Sequence, residues 1–494
     1  MLKCATATAH RTARESACRE RVTTRNAPIA DRRIAFARLG RFGALLLLIA
    51  AWTLPVAAAD APQDQCTILV SIDGLANFYL NDPQADMPAI RDLASKGAQA
   101  EGVVTAFPSV TWPAHTTLIT GTSPARHGMI GNSYLDRSNG SIVTLLCDPV
   151  YDKDQVVRAP TLYDVFHSAG LKTASVIWPA TRSARTLDWW VPDMPGDDTW
   201  EKYGNPQWLA ELREAGVPVD RHGAWVREAS GGVQRDWLYI RMAAHVLQVH
   251  QPNLLLIHLV EPDHVQHRTG PRSPEAYWCA RYANDCIMQL MEAIERSPRK
   301  GRTNLFVCSD HGFLTVRKEI RPNVVLKEMG LIKWTDGKIT DKNAVCLSQG
   351  GSTGLYVLDS SRRDQILLEV RKKLGDIEGV DAVYESPAQV GQPSAQQNPW
   401  APDLWLGAKP NYSFSDSADG SAVVIEKPTV SGTHGFKPDQ PDMLAMCVAW
   451  GPAIRPGAKL GKISAMDIAP TIAAIHGLKM PTAEGQVLSE LIRK

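Results

Sequence analysis

Five short apolar runs, separated by helical patterns, restrict the fold of this chain more than any other feature. They are CTILVSIDG (66–74), KTASVIWP (172–179), NLLLIHLVEPD (253–263), TNLFVCSDHG (303–312) and MLAMCVAWG (443–451). Each is nearly continuous in apolar residues rather than alternating, the pattern of a strand covered on both faces. Helix candidates lie between them at 87–97, 161–170, 235–250 and 276–297. Strands alternating with helices predict an α/β core with a largely parallel sheet.

The rhythm breaks between 340 and 427. GSTGLYVLD, RRDQILLEVRKKLGD and GVDAVYES read as strand, helix and strand, and a polar stretch, PAQVGQPSAQQNPWAPD, follows. This predicts a small inserted α+β cap (340–427) dividing the core into 60–339 and 428–494. The segment 185–234, rich in Trp, Gly and Pro, reads as a long excursion over the core.

Residues 1–59 differ in kind. A leader rich in Arg, Ala and Thr precedes an apolar run from Phe42 to Ala59 with small residues at Ala57 and Ala59. This is the pattern of an export signal with a small-x-small cleavage site. An uncleaved membrane anchor is the alternative, since a run of ~18 residues is at the lower limit for spanning. Arg32 and Arg33 are a weak twin-arginine match, and the length of the leader leaves a start downstream of Met1 open. The expected location is therefore the periplasm or the medium, with no stable membrane insertion after cleavage.

The chain has nine cysteines, and removing the leader with Cys4 and Cys18 leaves seven, so at least one thiol stays unpaired. Cys279 and Cys286, about two helical turns apart, are too distant for a direct bridge. No cysteine spacing suits a zinc ribbon, and the cysteines read as structural. Acidic and basic residues nearly cancel, 52 against 53, which gives no reason to expect a nucleic-acid partner.

Three apolar runs end in an acid: Asp73, Asp263 and Asp310. Ligands of open parallel sheets bind outside the carboxyl ends of the strands. Three carboxylates meeting there would repel one another unless cations neutralised them. Histidines accompany them: His267 four residues after Asp263, His311 beside Asp310, and His434 in SGTHGF. Carboxylate with imidazole suits Zn²⁺, then Mn²⁺ or Fe. A single Asp at a strand end is ordinarily a cap or turn former; the joint occurrence is what points to a metal site. His115, His127, His245, His250, His258 and His264 lack such support and read as structural.

Taken in order, SIDG, FPSVTWPAHTTLITG (107–121), HGMIGNSY, EPDHVQH, SDHG and SGTHGF resemble the type I phosphodiesterase/nucleotide pyrophosphatase family of the alkaline phosphatase superfamily, as does MDIAPTIAAIHG near the C-terminus. The resemblance implies an alkaline-phosphatase-like three-layer core and two zinc ions. One would be held by Asp73, Thr111, Asp310 and His311, the other by Asp263, His267 and His434. It makes Thr111 the nucleophile, forming a phosphothreonine intermediate, and Asn132 a donor to a non-bridging phosphoryl oxygen. Pro113 suggests that a helix starts just after Thr111, adding positive potential at the reacting group.

Trp112 could give a stacking shelf for a base, while Arg182 and Arg185 could reach a phosphate. The family's usual stretch has Phe at the position of Trp112 and Asn at that of Ala114, so the departures fall on the substrate pocket. The expected substrate is a small phosphodiester or nucleotide. A phosphomonoesterase or phosphonate hydrolase on the same metals is the alternative. A catalytically silent binding protein is a further one, and a sulfatase is disfavoured because the CxPxR motif is missing.

Overall fold

The computed structural model describes residues 64–145, 151–195, 198–228 and 231–493. The expected leader and signal (1–59) and Cys147 lie outside these residues. Among the described residues, no helix is long and apolar enough to cross a membrane.

The apolar runs assemble into an eight-stranded sheet. Its order is Ala458–Ser464, Ala98–Val104, Cys447–Trp450, Thr303–Cys308, Cys66–Ile72, Leu254–Leu259, Thr173–Val176, Trp189–Val191. Every neighbouring pair is parallel except where Cys447–Trp450 runs antiparallel to both its neighbours. Period-two geometry sends Ile68, Val70 and Ile72 to one face and Leu69 to the other. The first face packs on helices Pro88–Lys96, Gly231–Val249 and Pro274–Arg296, the second on Thr111–Thr120, Leu162–Ser168 and Ile468–Ile475. The result is a three-layer α/β/α core with an alkaline-phosphatase-like mixed, mostly parallel sheet.

Three strands of this sheet were not evident from their sequences. Ala98–Val104 and Ala458–Ser464 carry exposed Glu101, Lys459 and Lys462, because they pair at one margin where a face meets water. Trp189–Val191 closes the other margin, so the supposed excursion begins as an edge strand before turning helical at Thr199–Tyr203 and Pro206–Glu214. The run at 253–263 is a strand only to Leu259. A helix, Glu261–Thr269, follows with Pro262 in its first turn. The Asp236 carboxylate accepts the N–H groups of Val260 and Glu261 from outside the segment, which favours starting the helix there.

Residues 344–408 form a four-stranded antiparallel sheet, ordered Ala344–Ser348, Ser352–Val357, Leu404–Ala408, Val380–Tyr384, with helix Arg363–Gly375 packed on it. A three-stranded sheet adjoins it, in which Leu314–Ile320 pairs with Asn411–Phe414 and Val424–Thr433. The segment thus returns to the strand that directly follows SDHG. The six described cysteines are free and buried; Cys308 and Cys447 face each other across antiparallel strands.

Candidate active site

Strands Thr303–Cys308, Cys66–Ile72 and Leu254–Leu259 are adjacent and parallel, so their carboxyl ends open at one place. Asp73 follows its strand directly, Asp310 lies two residues beyond its own, and Asp263 stands in the first turn of the helix after the third. Asp263 is therefore a helix residue rather than a strand-end one, and His267 sits one turn later on the same helix. Gly74 makes the first turn possible. Its φ is +68°, a Cβ there would lie 2.6 Å from the Phe313 ring, and its N–H donates to Asp310 Oδ1 at 3.0 Å.

Two ligand clusters result. In one, His311 Nε2 lies 3.4 Å from Asp73 Oδ1 and 3.1 Å from Asp310 Oδ2. In the other, His267 Nε2 and His434 Nε2 are 3.2 Å apart, and each is 3.4 Å from Asp263 Oδ1. The clusters touch, for Asp263, His311 and His434 also form a group whose ligand atoms lie within 4.8 Å of one another. The imidazole tautomers follow from the carbonyls behind them. Nδ1 of His267 faces Gly432 O, Nδ1 of His434 faces Ser109 O, and Nδ1 of His311 faces Gly312 O, at 3.1–3.2 Å. Each Nδ1 therefore carries the proton and each Nε2 presents a lone pair.

Four of the converging atoms are buried without a hydrogen-bond partner: Asp73 Oδ1, Asp263 Oδ1, Asp310 Oδ2 and His311 Nε2. Orphaned acceptors aimed at one point are costly unless a cation meets them. Burial, then the nearby charge of Asp263, holds the Asp73 carboxyl well above the usual carboxylate range; burial and Asp73 do the same to Asp310. Burial also opposes ionisation of Asp263, but His267 and His434 outweigh it and pull that carboxyl down. Burial brings His434 down to about 4. The donor set of hard carboxylates and neutral imidazoles fits divalent metal ions.

Thr111 is the first residue of helix Thr111–Thr120, with Val110 extended before it and Gly121 closing the helix at φ +66°. The helix thus starts at Thr111 itself rather than just after it. Asn132 is held beside it: its Oδ1 accepts the Trp112 N–H at 3.0 Å, its backbone C=O accepts from Leu145 N, and its N–H donates to Gln349 Oε1. Because Oδ1 faces a donor, Nδ2 is the group left over, an N–H donor with no partner among the described residues and anchored one residue from the threonine. Thr116 and Thr120 bond back to the carbonyls of Trp112 and Thr116, in keeping with packing roles.

Trp112 is buried among Met129, Ile130, Tyr134 and Ala180. The Arg182 guanidinium pairs with Asp152 at 2.8 Å and lies 4.0 Å over the Tyr203 ring. Arg185 is exposed. Trp189 stacks on His250 and Trp200 on His222.

Two histidines read as structural are second-layer partners of the clusters. His258 Nε2 donates to Asp73 Oδ2 at 3.0 Å, and His115 Nδ1 donates to Thr111 O at 2.8 Å while lying 3.5 Å from Asp310 Oδ2. A polar residue inside the otherwise apolar run LLLIHL was the signal for His258. His115, one helical turn after Thr111, had a weaker one.

Paired carboxylate–imidazole clusters at strand ends, with a threonine-led helix beside them, define a metal-dependent hydrolase of alkaline-phosphatase-like fold. The chain belongs to the type I phosphodiesterase/nucleotide pyrophosphatase family, which it matches over residues 67–437. It is accordingly a phosphodiesterase/pyrophosphatase enzyme. Human ectonucleotide pyrophosphatase/phosphodiesterase family member 7 is 24% identical over 458 residues, spanning 91% of this chain and 89% of that relative. The venom phosphodiesterase of Macrovipera lebetinus is 24% identical over 258 residues, 52% of this chain and 27% of the venom enzyme. Murine ectonucleotide pyrophosphatase/phosphodiesterase 5 shares the fold with a TM-score of 0.64 at 17% identity, covering 87% of this chain and all of its own. An inactive threonine-to-alanine form of that protein was solved in complex with AMP.

Proposed function

We propose that the protein cleaves a phosphodiester or nucleotide pyrophosphate bond by attack of the Thr111 hydroxyl, with two zinc ions as cofactors. The convergence of the four orphaned ligand atoms beside the Thr111 helix carries this reading. Asp73, Asp310, His311 and Thr111 would hold one ion, and Asp263, His267 and His434 the other. When bound, such ions supply Lewis acidity that lowers the pKa of a hydroxyl and neutralises charge on a phosphoryl group.

The protein's own residues do the rest. The N-terminus of helix Thr111–Thr120 places positive potential at the phosphoryl group. Asn132 Nδ2 donates to a non-bridging oxygen, a contact whose removal typically costs roughly 10²–10³ in rate. Thr111 Oγ1 bonds to phosphorus as the leaving oxygen departs, giving a phosphothreonine that water then hydrolyses. A protein of the same fold whose threonine-to-alanine form is inactive and was solved with AMP supports a threonine nucleophile and a nucleotide ligand.

A monoester specialist would need a cationic clamp for the dianion; with Arg182 committed to Asp152 and Tyr203, the diester reading is favoured. Export to the periplasm or medium belongs to the same proposal and rests on the Phe42–Ala59 run.

The test is turnover of zinc-loaded protein on bis-p-nitrophenyl phosphate and p-nitrophenyl phosphate. Chelator-treated protein and Thr111→Ala serve as controls. Thr111→Ala should keep fold and metal while losing hydrolysis; near-normal turnover would remove Thr111 from the mechanism. Preference for the monoester would redirect attention to Arg185 as a clamp.

A further inference from the structure

We infer that Gln349, at the tip of the hairpin joining strands Ala344–Ser348 and Ser352–Val357, is a positioning residue that holds Asn132 in place for the reaction. The inference deepens the function proposed above, since it rests on Asn132 serving the phosphoryl group.

Gln349 reaches across from the inserted segment and is 6% exposed. Its Oε1 accepts the Asn132 N–H at 2.9 Å, while its Nε2 donates to the Ser133 carbonyl and hydroxyl, both at 3.1 Å. The donor on one side and the carbonyl on the other fix the amide orientation, so the side chain grips the Asn132–Ser133 backbone from both ends. Gly131 makes room for this: a Cβ there would stand 2.8 Å from Gln349 Oε1.

The backbone of the same hairpin tip rests on the metal-ligand turn. Gly351 N–H donates to His434 O at 2.8 Å, and a Cβ on Gly435 would lie 1.7 Å from Gln349 O. Gly435 N–H and His434 Nδ1 both donate to Ser109 O, two residues before Thr111. One hairpin tip therefore packs against the turn of Asn132 and the turn of His434. Gln349, the one residue of the Gln349–Gly351 tip that carries a side chain, is matched to the Asn132 turn at both polar atoms. A space-filling role needs no such match, because burying an unmatched amide costs free energy that an apolar side chain avoids.

If Gln349 acts through Asn132, its loss matters only while Asn132 is present. The test is steady-state kinetics on bis-p-nitrophenyl phosphate for wild type, Asn132→Ala, Gln349→Met and the double variant, with zinc content and thermal midpoint measured for each. Asn132→Ala should lower kcat by roughly 10²–10³. Gln349→Met should lower kcat by roughly 10- to 30-fold with KM within about threefold of wild type, the sign of an interaction made in the transition state. The double variant should fall no more than about threefold below Asn132→Ala. Gln349→Glu keeps the acceptor for the Asn132 N–H but sets a carboxylate oxygen against the Ser133 carbonyl. It should also lower kcat, again with little further loss in the Asn132→Ala background, and it decides the matter if the Met variant fails to fold.

Wild-type kcat in Gln349→Met, or losses from either Gln349 variant that multiply with that of Asn132→Ala, would each overturn the inference. A near-normal Asn132→Ala would overturn it too, but by removing the role of Asn132. In that case the dependence of turnover on Thr111 and zinc would still stand.

Discussion

Replacing His258 by Phe removes one hydrogen bond and adds the bulk of roughly one ring carbon, and it probes how the first ligand cluster is oriented. His258 Nε2 donates to Asp73 Oδ2 at 3.0 Å, and both side chains are almost wholly buried. The other Asp73 oxygen, Oδ1, is the orphan facing His311. Without the donor behind it, the carboxylate can rotate and must leave Oδ2 unpaired. Losing a hydrogen bond to a buried charged group costs on the order of 1.5–3 kcal/mol. Second-layer partners of metal ligands are worth about 10- to 100-fold in metal affinity. Zinc affinity should therefore fall by that factor at one of two sites, read as a split in a competition titration against a chromogenic chelator. Excess zinc should restore kcat, since Thr111 and Asn132 are untouched. His258→Gln can still present an N–H to Asp73 and should lose less. Unchanged affinity in the Phe variant, or equal weakening of both sites, would refute the reasoning.

Two further outcomes follow from the geometry. Gly435 has φ +87° and lies against Gln349 O, so Gly435→Ala should destabilise the fold by roughly 3 kcal/mol or more, through strain and collision together. Urea denaturation reads this, and an unchanged midpoint would contradict it. Asp236 is buried, and burial outweighs its two backbone donors to bring its carboxyl up to about 7. Its folded state therefore binds a proton that the unfolded chain releases near pH 4, so stability should fall as pH rises from about 4 to about 7, by up to ~4 kcal/mol. In Asp236→Asn, with zinc bound, that part of the slope should vanish; an unaltered slope would assign the titration to another group.

The parts of this site that were legible in the sequence are those whose signal is local. Asp73, Asp310 and His311 were legible because several acids and histidines fall together where buried strands must end. His267 follows Asp263 by one helical turn, a spacing that survives even though the segment is helix where a strand was expected. The partners that orient these groups are invisible for the opposite reason. His258 meets Asp73 across 185 residues of chain, and Gln349 meets Asn132 across 217. Neither belongs to a short pattern. The edge strand Ala458–Ser464 and its neighbour Ala98–Val104 were hidden by their charges, since position in the sheet, and not composition, decides which face is wet.

Among the described residues, the groups that bond to Asp73 and Asp310 from behind are imidazoles and backbone N–H groups, with no lysine or arginine among them. An Arg placed behind Asp73 or Asp310 would satisfy the carboxylate with a permanent charge, and a metal ion would then have to compete with it. His258 orients Asp73 through a single N–H, and His115, held well below its ordinary pKa by burial and by His258, contributes no charge beside Asp310. Burial, with Asp263 beside Asp73 and Asp73 beside Asp310, opposes ionisation of these two carboxyls, and a divalent ion favours it. Oriented by neutral donors and not by a fixed cation, the two carboxylates leave their charge to the ions that complete the cluster.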